Sequence, residues 1–85
     1  GMSVKTSVMW GKYAPKMKRL AARRRRLIAA LVAAGVFGPE NRGTVESRST
    51  AGEAIQVPYR DGVQFVLTVK GLEQVCRQNG VKVLR

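Results

Sequence analysis

The side chains of this chain with the most evident capacity for chemistry are cations. Lys5, Lys12, Lys16, Lys18, Arg19, Arg23, Arg24, Arg25 and Arg26 place nine of its sixteen basic residues in the first 26 positions. None of the five acids, Glu40, Glu46, Glu53, Asp61 and Glu73, falls there. Residues 1–26 therefore carry +9, and residues 27–85 only +2, of the net +11. A segment this positive suits a polyanion: nucleic acid first, an acidic protein or an anionic membrane surface next. The run Arg23 to Arg26 is its sharpest motif. Arginine's flat fork matches phosphate, and each neutralised phosphate releases condensed counterions.

Other chemistries lack their parts. There is no histidine, and Cys76 is the single cysteine. An intrachain disulfide, a zinc ligand set and a Ser–His or Cys–His pair are all excluded. The five carboxylates show no i, i+3 or i+4 pairing on a convincing helix. No cofactor and no metal is implied, and the expectation is a non-enzymatic protein. The lack of disulfides fits a cytoplasmic setting. Cys76 itself reads as a buried, inert thiol.

A long helix must position the cations. Residues 1–11 have no clear period and read as a flexible basic arm; residues 12–85 read as one small domain. Proline is favoured at the first helical position, so a helix is expected to start near Pro15. Lys16 to Ala34 contains no Gly or Pro; Gly35 suits the position after the last turn, and Pro39 forbids continuation. At about 100° per residue, Lys12, Lys16, Arg19, Arg23 and Arg26 form one stripe, provided the helix reaches back to Lys12. Met17, Leu20, Ala21, Leu27, Ile28, Leu31 and Val32 form a neighbouring apolar face. Arg24 breaks the pattern by falling within that face. After Arg26 the helix is apolar or Ala on every side, so burial all round is expected there. The apolar run Leu27 to Phe37 has 11 residues. As a helix it covers about 16 Å, too short for a hydrocarbon core of about 30 Å.

Trp10 and Tyr13 flank Lys12. Aromatics interleaved with cations can stack on unpaired bases; the same pair also suits covering a sheet or stapling a helix start.

The remainder reads as a small sheet with a short helix. Residues 38–53 are rich in Gly, Ser, Thr and charge and read as a long loop, with at most one helical turn near Val45 to Arg48. Ile55, Val57 and Tyr59 alternate with polar residues or proline; Val63, Phe65, Leu67 and Val69 alternate with Gln64, Val66 and Thr68. Two such runs around Asp61-Gly62 predict a hairpin, with Pro58 on an edge strand. Gly71 to Gly80 predicts a helix with Leu72, Val75, Cys76 and Asn79 on one face. Val81 to Leu84 predicts a last strand. The expected fold is α+β, a long N-terminal helix packed on a small, mostly antiparallel sheet, in the order α-β-β-α-β.

Within this stretch, Val63 to Glu73 contains Leu67-Thr68-Val69-Lys70-Gly71. It resembles the junction in winged-helix regulators where the wing's second strand enters a helix, often spelt L-T-x-K-G. That fold needs two further helices before its wing, and residues 38–53 show neither, so no recognition helix is carried over.

The expected function is a nucleic-acid-binding module, a small regulator or accessory factor. Lys12, Lys16, Arg19, Arg23 and Arg26 are its expected phosphate contacts, with Lys18, Arg24 and Arg25 secondary. Phosphate contacts position a protein without reading bases, so weak sequence preference is expected. The rivals are an assembly module, docking through the N-terminal helix as a homo-oligomer or on an acidic protein, and attachment to an anionic membrane surface.

Overall fold

The computed structural model describes the backbone of residues 4–59 and 62–83, and the side chains of residues 14–56 and 65–83. Helix α1 spans Val4–Ala33. A 3₁₀ turn, Pro39–Asn41, leads into α2, Arg42–Thr50. Strands β1, Ile55–Tyr59, and β2, Gly62–Val66, form a two-stranded antiparallel sheet, and α3 spans Val69–Gln78. The class is α+β, with the long N-terminal helix, the hairpin and the C-terminal helix in the expected sequence. Three elements differ from expectation in detail.

The first is α1, which runs through Pro15 instead of starting there. Proline's preference for the first turn is not a stop signal; inside a helix it forfeits one bond, here to the Gly11 carbonyl. The backbone of residues 4–11, read as an arm, is helical. At its other end α1 closes as expected. Gly35 has φ 76°, and the Val36 and Gly35 N–H groups donate to the Leu31 and Val32 carbonyls, each over 3.0 Å. That left-handed closing turn favours glycine, and Gly52 and Gly80 end α2 and α3 in the same way. The apolar half of α1 is not buried all round. Leu27, Ile28 and Leu31 are buried, Val32, Ala29 and Ala30 are half-buried, and Ala33 is exposed.

The second is α2, nine residues of helix where a loop was expected. Its buried side is only Val45 and, one turn on, Ser49. A single valine and a serine leave almost no apolar period to read. The helix exists because α1 offers Leu27, Ile28 and Leu31 as a platform for Val45.

The third is the C-terminus. Residues 81–83 form no strand. The Val81 N–H donates to the Cys76 carbonyl over 2.8 Å, closing α3, and so is unavailable to a ladder. Val81 and Val83 instead lie half-buried against the core. Leu84 is outside the described residues.

The hairpin pairs Ile55 with Val66 through to Tyr59 with Gly62, around the expected turn. Arg60 and Asp61 lie outside the described residues. Val66 is fully buried, while Phe65 and Leu67 are 56% and 45% exposed. The core therefore takes the Val66 side of β2, and Phe65 faces away. Thr68 is extended, and its hydroxyl accepts from the Gly71 N–H over 3.3 Å, so α3 starts at Val69, two residues earlier than expected. The junction that resembles a winged helix is thus a strand, a cap and a helix. Only one helix, α2, stands between α1 and the hairpin.

The core joins Leu27, Ile28 and Leu31 of α1 to Val36, Phe37, Val45, Val66, Val69, Leu72, Val75 and Cys76. α1 packs chiefly on α2 and α3, and α3 also packs on β2. The molecule measures 51 × 24 × 19 Å. A 30-residue helix is about 45 Å long, so α1 sets the long axis. Among its described side chains the first buried one is Leu27, and residues 15–20 are all exposed.

Candidate nucleic-acid interface

The cations of α1 divide by what the rest of the fold brings to them. Arg23, Arg24 and Arg25 point in three directions about 100° apart. Arg24 points between α2 and α3, and its Nε donates to the Ser49 hydroxyl over 3.1 Å. Ser49 is 2% exposed, and this bond satisfies it. Among the described residues, no buried side-chain nitrogen or oxygen lacks a partner. Arg24 thus sits on the apolar face because a buried hydroxyl awaits it there.

On one flank, Arg23 Nη2 lies 3.7 Å from a carboxylate oxygen of Glu73 on α3. On the other, Arg25 Nη1 lies 3.9 Å from Glu46 on α2. Both pairs are long and solvated, so each contributes little stability. They still change the charge reading. The absence of acids from the first 39 residues does not leave the arginine run unpaired, because α2 and α3 bring Glu46 and Glu73 beside it. A count along the sequence misses this, since each acid is more than 20 positions away.

Lys16, Lys18, Arg19 and Arg26 are different. All four are exposed, and among the described residues none is in an ion pair. Arg19 and Arg26 lie on the side of α1 turned away from Leu31, while Lys16, about 60° round from Arg19, falls nearly in line with Leu27. Lys18 lies round the helix from them. The backbone of α1 carries Lys12, Trp10 and Tyr13 as well; the expected contact at Lys12 and the expected stacking at Trp10 and Tyr13 concern side chains outside the described residues. On the core-facing side of this same stretch, Met17 and Leu20 are 54% and 37% exposed.

Little else in the molecule resembles a reactive centre. Among the described residues there is no group of three or more His, Cys, Asp or Glu placed to hold a metal. A groove of about 270 Å³ between α1 and α3 is lined by Arg23, Glu73, Cys76 and Arg77. Burial pushes the Cys76 thiol up from its ordinary pKa; nearby Arg23 lowers it, Glu73 raises it and Arg77 lowers it by smaller amounts. A thiol held protonated is a poor nucleophile. Among the described residues, no helix is long and apolar enough to cross a membrane.

The fold and the site define a small α+β domain with a basic helix standing clear of its core. No protein-family model, curated protein or solved structure matches the chain.

Proposed function

We propose that this protein is a non-enzymatic nucleic-acid-binding module that grips phosphates through the outward side of α1. One observation carries the reading: Lys16, Lys18, Arg19 and Arg26 are exposed, outside any ion pair among the described residues, and fixed on a helix anchored at Leu27. A rigid array of cations binds a polyanion without first losing the entropy of a loose tail. The backbone of the same helix carries Lys12. Arg23, Arg24 and Arg25 serve the fold first and the polyanion second. No cofactor enters this reading, and a cytoplasmic setting suits a chain with one buried thiol.

The test is salt dependence. Affinity for a mixed duplex falls steeply with salt, and replacing Lys16, Lys18, Arg19 and Arg26 by Ala flattens the slope by about one unit per lost phosphate contact. Salt-independent affinity, or no binding at low salt, removes the proposal.

The exposed Met17 and Leu20 favour a second reading, in which the same stretch of α1 docks on an apolar surface. A second copy, an acidic protein and an anionic membrane are its three forms. Sedimentation with anionic but not neutral vesicles, tighter than binding to nucleic acid and lost in Leu20→Lys, selects the membrane. A concentration-dependent dimer lost in the same variant selects the second copy.

A further inference from the structure

We infer that α1 is a major-groove helix for B-form duplex DNA, with Arg19 and Arg26 directed at base edges rather than phosphates. This rests on the phosphate-gripping reading above, reassigns Arg19 and Arg26 within it from phosphates to base edges, and adds the kind of nucleic acid.

The outward side of α1 has a midline and two flanks. At 100° per residue, Arg19, Ala22, Arg26, Ala29 and Ala33 fall within about 80° of one another, opposite Leu27, Leu31 and Arg24. None of the five is buried. Lys16 and Arg23 border this strip on one side, Lys18 and Arg25 on the other. A helix lying on a single phosphate ridge needs cations along one line. Cations on both borders suit a groove, which has a phosphate wall on each side. The midline is what the floor of the groove would meet. Its alanines allow close approach, and among the described residues its only long side chains are the two arginines, with the exposed Pro15 on the same line.

Dimensions select the groove. A helix with its side chains is about 10–12 Å across, and the major groove of B-DNA is about 12 Å wide. In A-form RNA the major groove is too deep and narrow for side chains to read. Arg19 and Arg26 are two turns apart, about 10 Å along the axis, close to the rise of three base pairs. Arginine pairs two-pronged with the O6 and N7 atoms of guanine. The preference is therefore for guanine at two positions about three base pairs apart. Among the described residues, α2 and α3 meet the Arg24 side of α1, opposite the strip, and reach its borders only where Glu73 and Glu46 approach Arg23 and Arg25.

Three duplexes of equal length test this by fluorescence anisotropy at one salt concentration: a G·C-containing DNA, an A·T-only DNA, and an RNA of the first sequence. The G·C-containing DNA binds tighter than the A·T-only DNA by about 5- to 150-fold for each arginine–guanine pair formed, and tighter than the RNA. Arg19→Ala and Arg26→Ala each reduce the G·C preference and leave the salt slope unchanged. Lys16→Ala and Lys18→Ala each lower the slope by about one and leave the preference intact. All four positions are exposed, and an unchanged thermal midpoint verifies that each variant folds. RNA bound as tightly as DNA, or arginine variants that lower the slope and keep the preference, overturns the groove assignment while the phosphate reading stands. No binding to any duplex at low salt overturns both.

Discussion

Arg24 and Ser49, 25 positions apart, are joined by a 3.1 Å hydrogen bond from the guanidinium Nε to a hydroxyl that solvent barely reaches. The bond ties α1 to α2, and it gives the one arginine on the apolar face its reason for being there. Arg24→Ala is expected to lower stability by about 1.5–3 kcal/mol, the range for a hydrogen bond from a charged donor, because Ser49 loses its partner. Arg24→Met keeps the stem on the core and should lose less. Denaturant titration of Arg24→Ala, Ser49→Ala and the double variant gives the coupling; independent effects would show that the contact is idle.

The carboxylates beside Arg23 and Arg25 are predicted to restrain binding more than they support folding. Glu73→Gln and Glu46→Gln each remove one long, solvated pair and should change stability by less than about 1 kcal/mol. Each frees an arginine and removes a negative charge from the basic helix. Affinity for duplex DNA should therefore rise, and the salt slope should steepen by up to about one unit per variant. Weaker binding by either variant contradicts the placement of the interface.

Leu67, just after β2, and Leu72, in the first turn of α3, should respond differently. Leu72 is fully buried and Leu67 is 45% exposed. Leu72→Ala is expected to cost about 2–5 kcal/mol. Leu67→Ser should stay within about 1 kcal/mol of the parent and improve solubility, since it removes apolar surface from water. Thermal and urea unfolding of the two variants decide whether Leu67 stands outside the core that Leu72 helps to form.

Cys76 makes stability fall with pH. Burial raises its thiol pKa above the unfolded value, so the unfolded chain loses the proton first. The contribution is whole below the unfolded thiol pKa of about 8.5 and is lost as pH rises through the folded value. Cys76→Ser should flatten that alkaline decline. A maleimide should label the native protein slowly at neutral pH and the urea-unfolded protein at once; equal rates would mean the thiol is open to solvent.

Some of this was legible in the sequence. The period of Leu27, Ile28 and Leu31, the stop at Gly35, the hairpin around Asp61-Gly62 and the face of Leu72, Val75 and Cys76 rest on local rules, and the structure follows them. What was not legible depends on partners. α2 shows no apolar period because its second buried residue is a serine that only Arg24 makes tolerable. The side of β2 that turns inward is ambiguous because Phe65, Val66 and Leu67 are all apolar, and only packing against α3 chooses Val66. The acids of the arginine cluster lie on elements whose placement follows from those choices.

The four consecutive arginines also make the junction between the protruding helix and the core tolerant of slippage. One residue inserted between Arg26 and Leu27 would turn everything upstream by about 100°. Arg24, Arg25 and Arg26 would then stand opposite Glu73, Ser49 and Glu46, where Arg23, Arg24 and Arg25 stand now. The clamp would re-form with interchangeable teeth, while Met17 and Leu20 took the places on the helix that Lys16 and Arg19 hold now. A single-codon insertion at that point would thus re-aim the basic surface and leave the body of the protein intact.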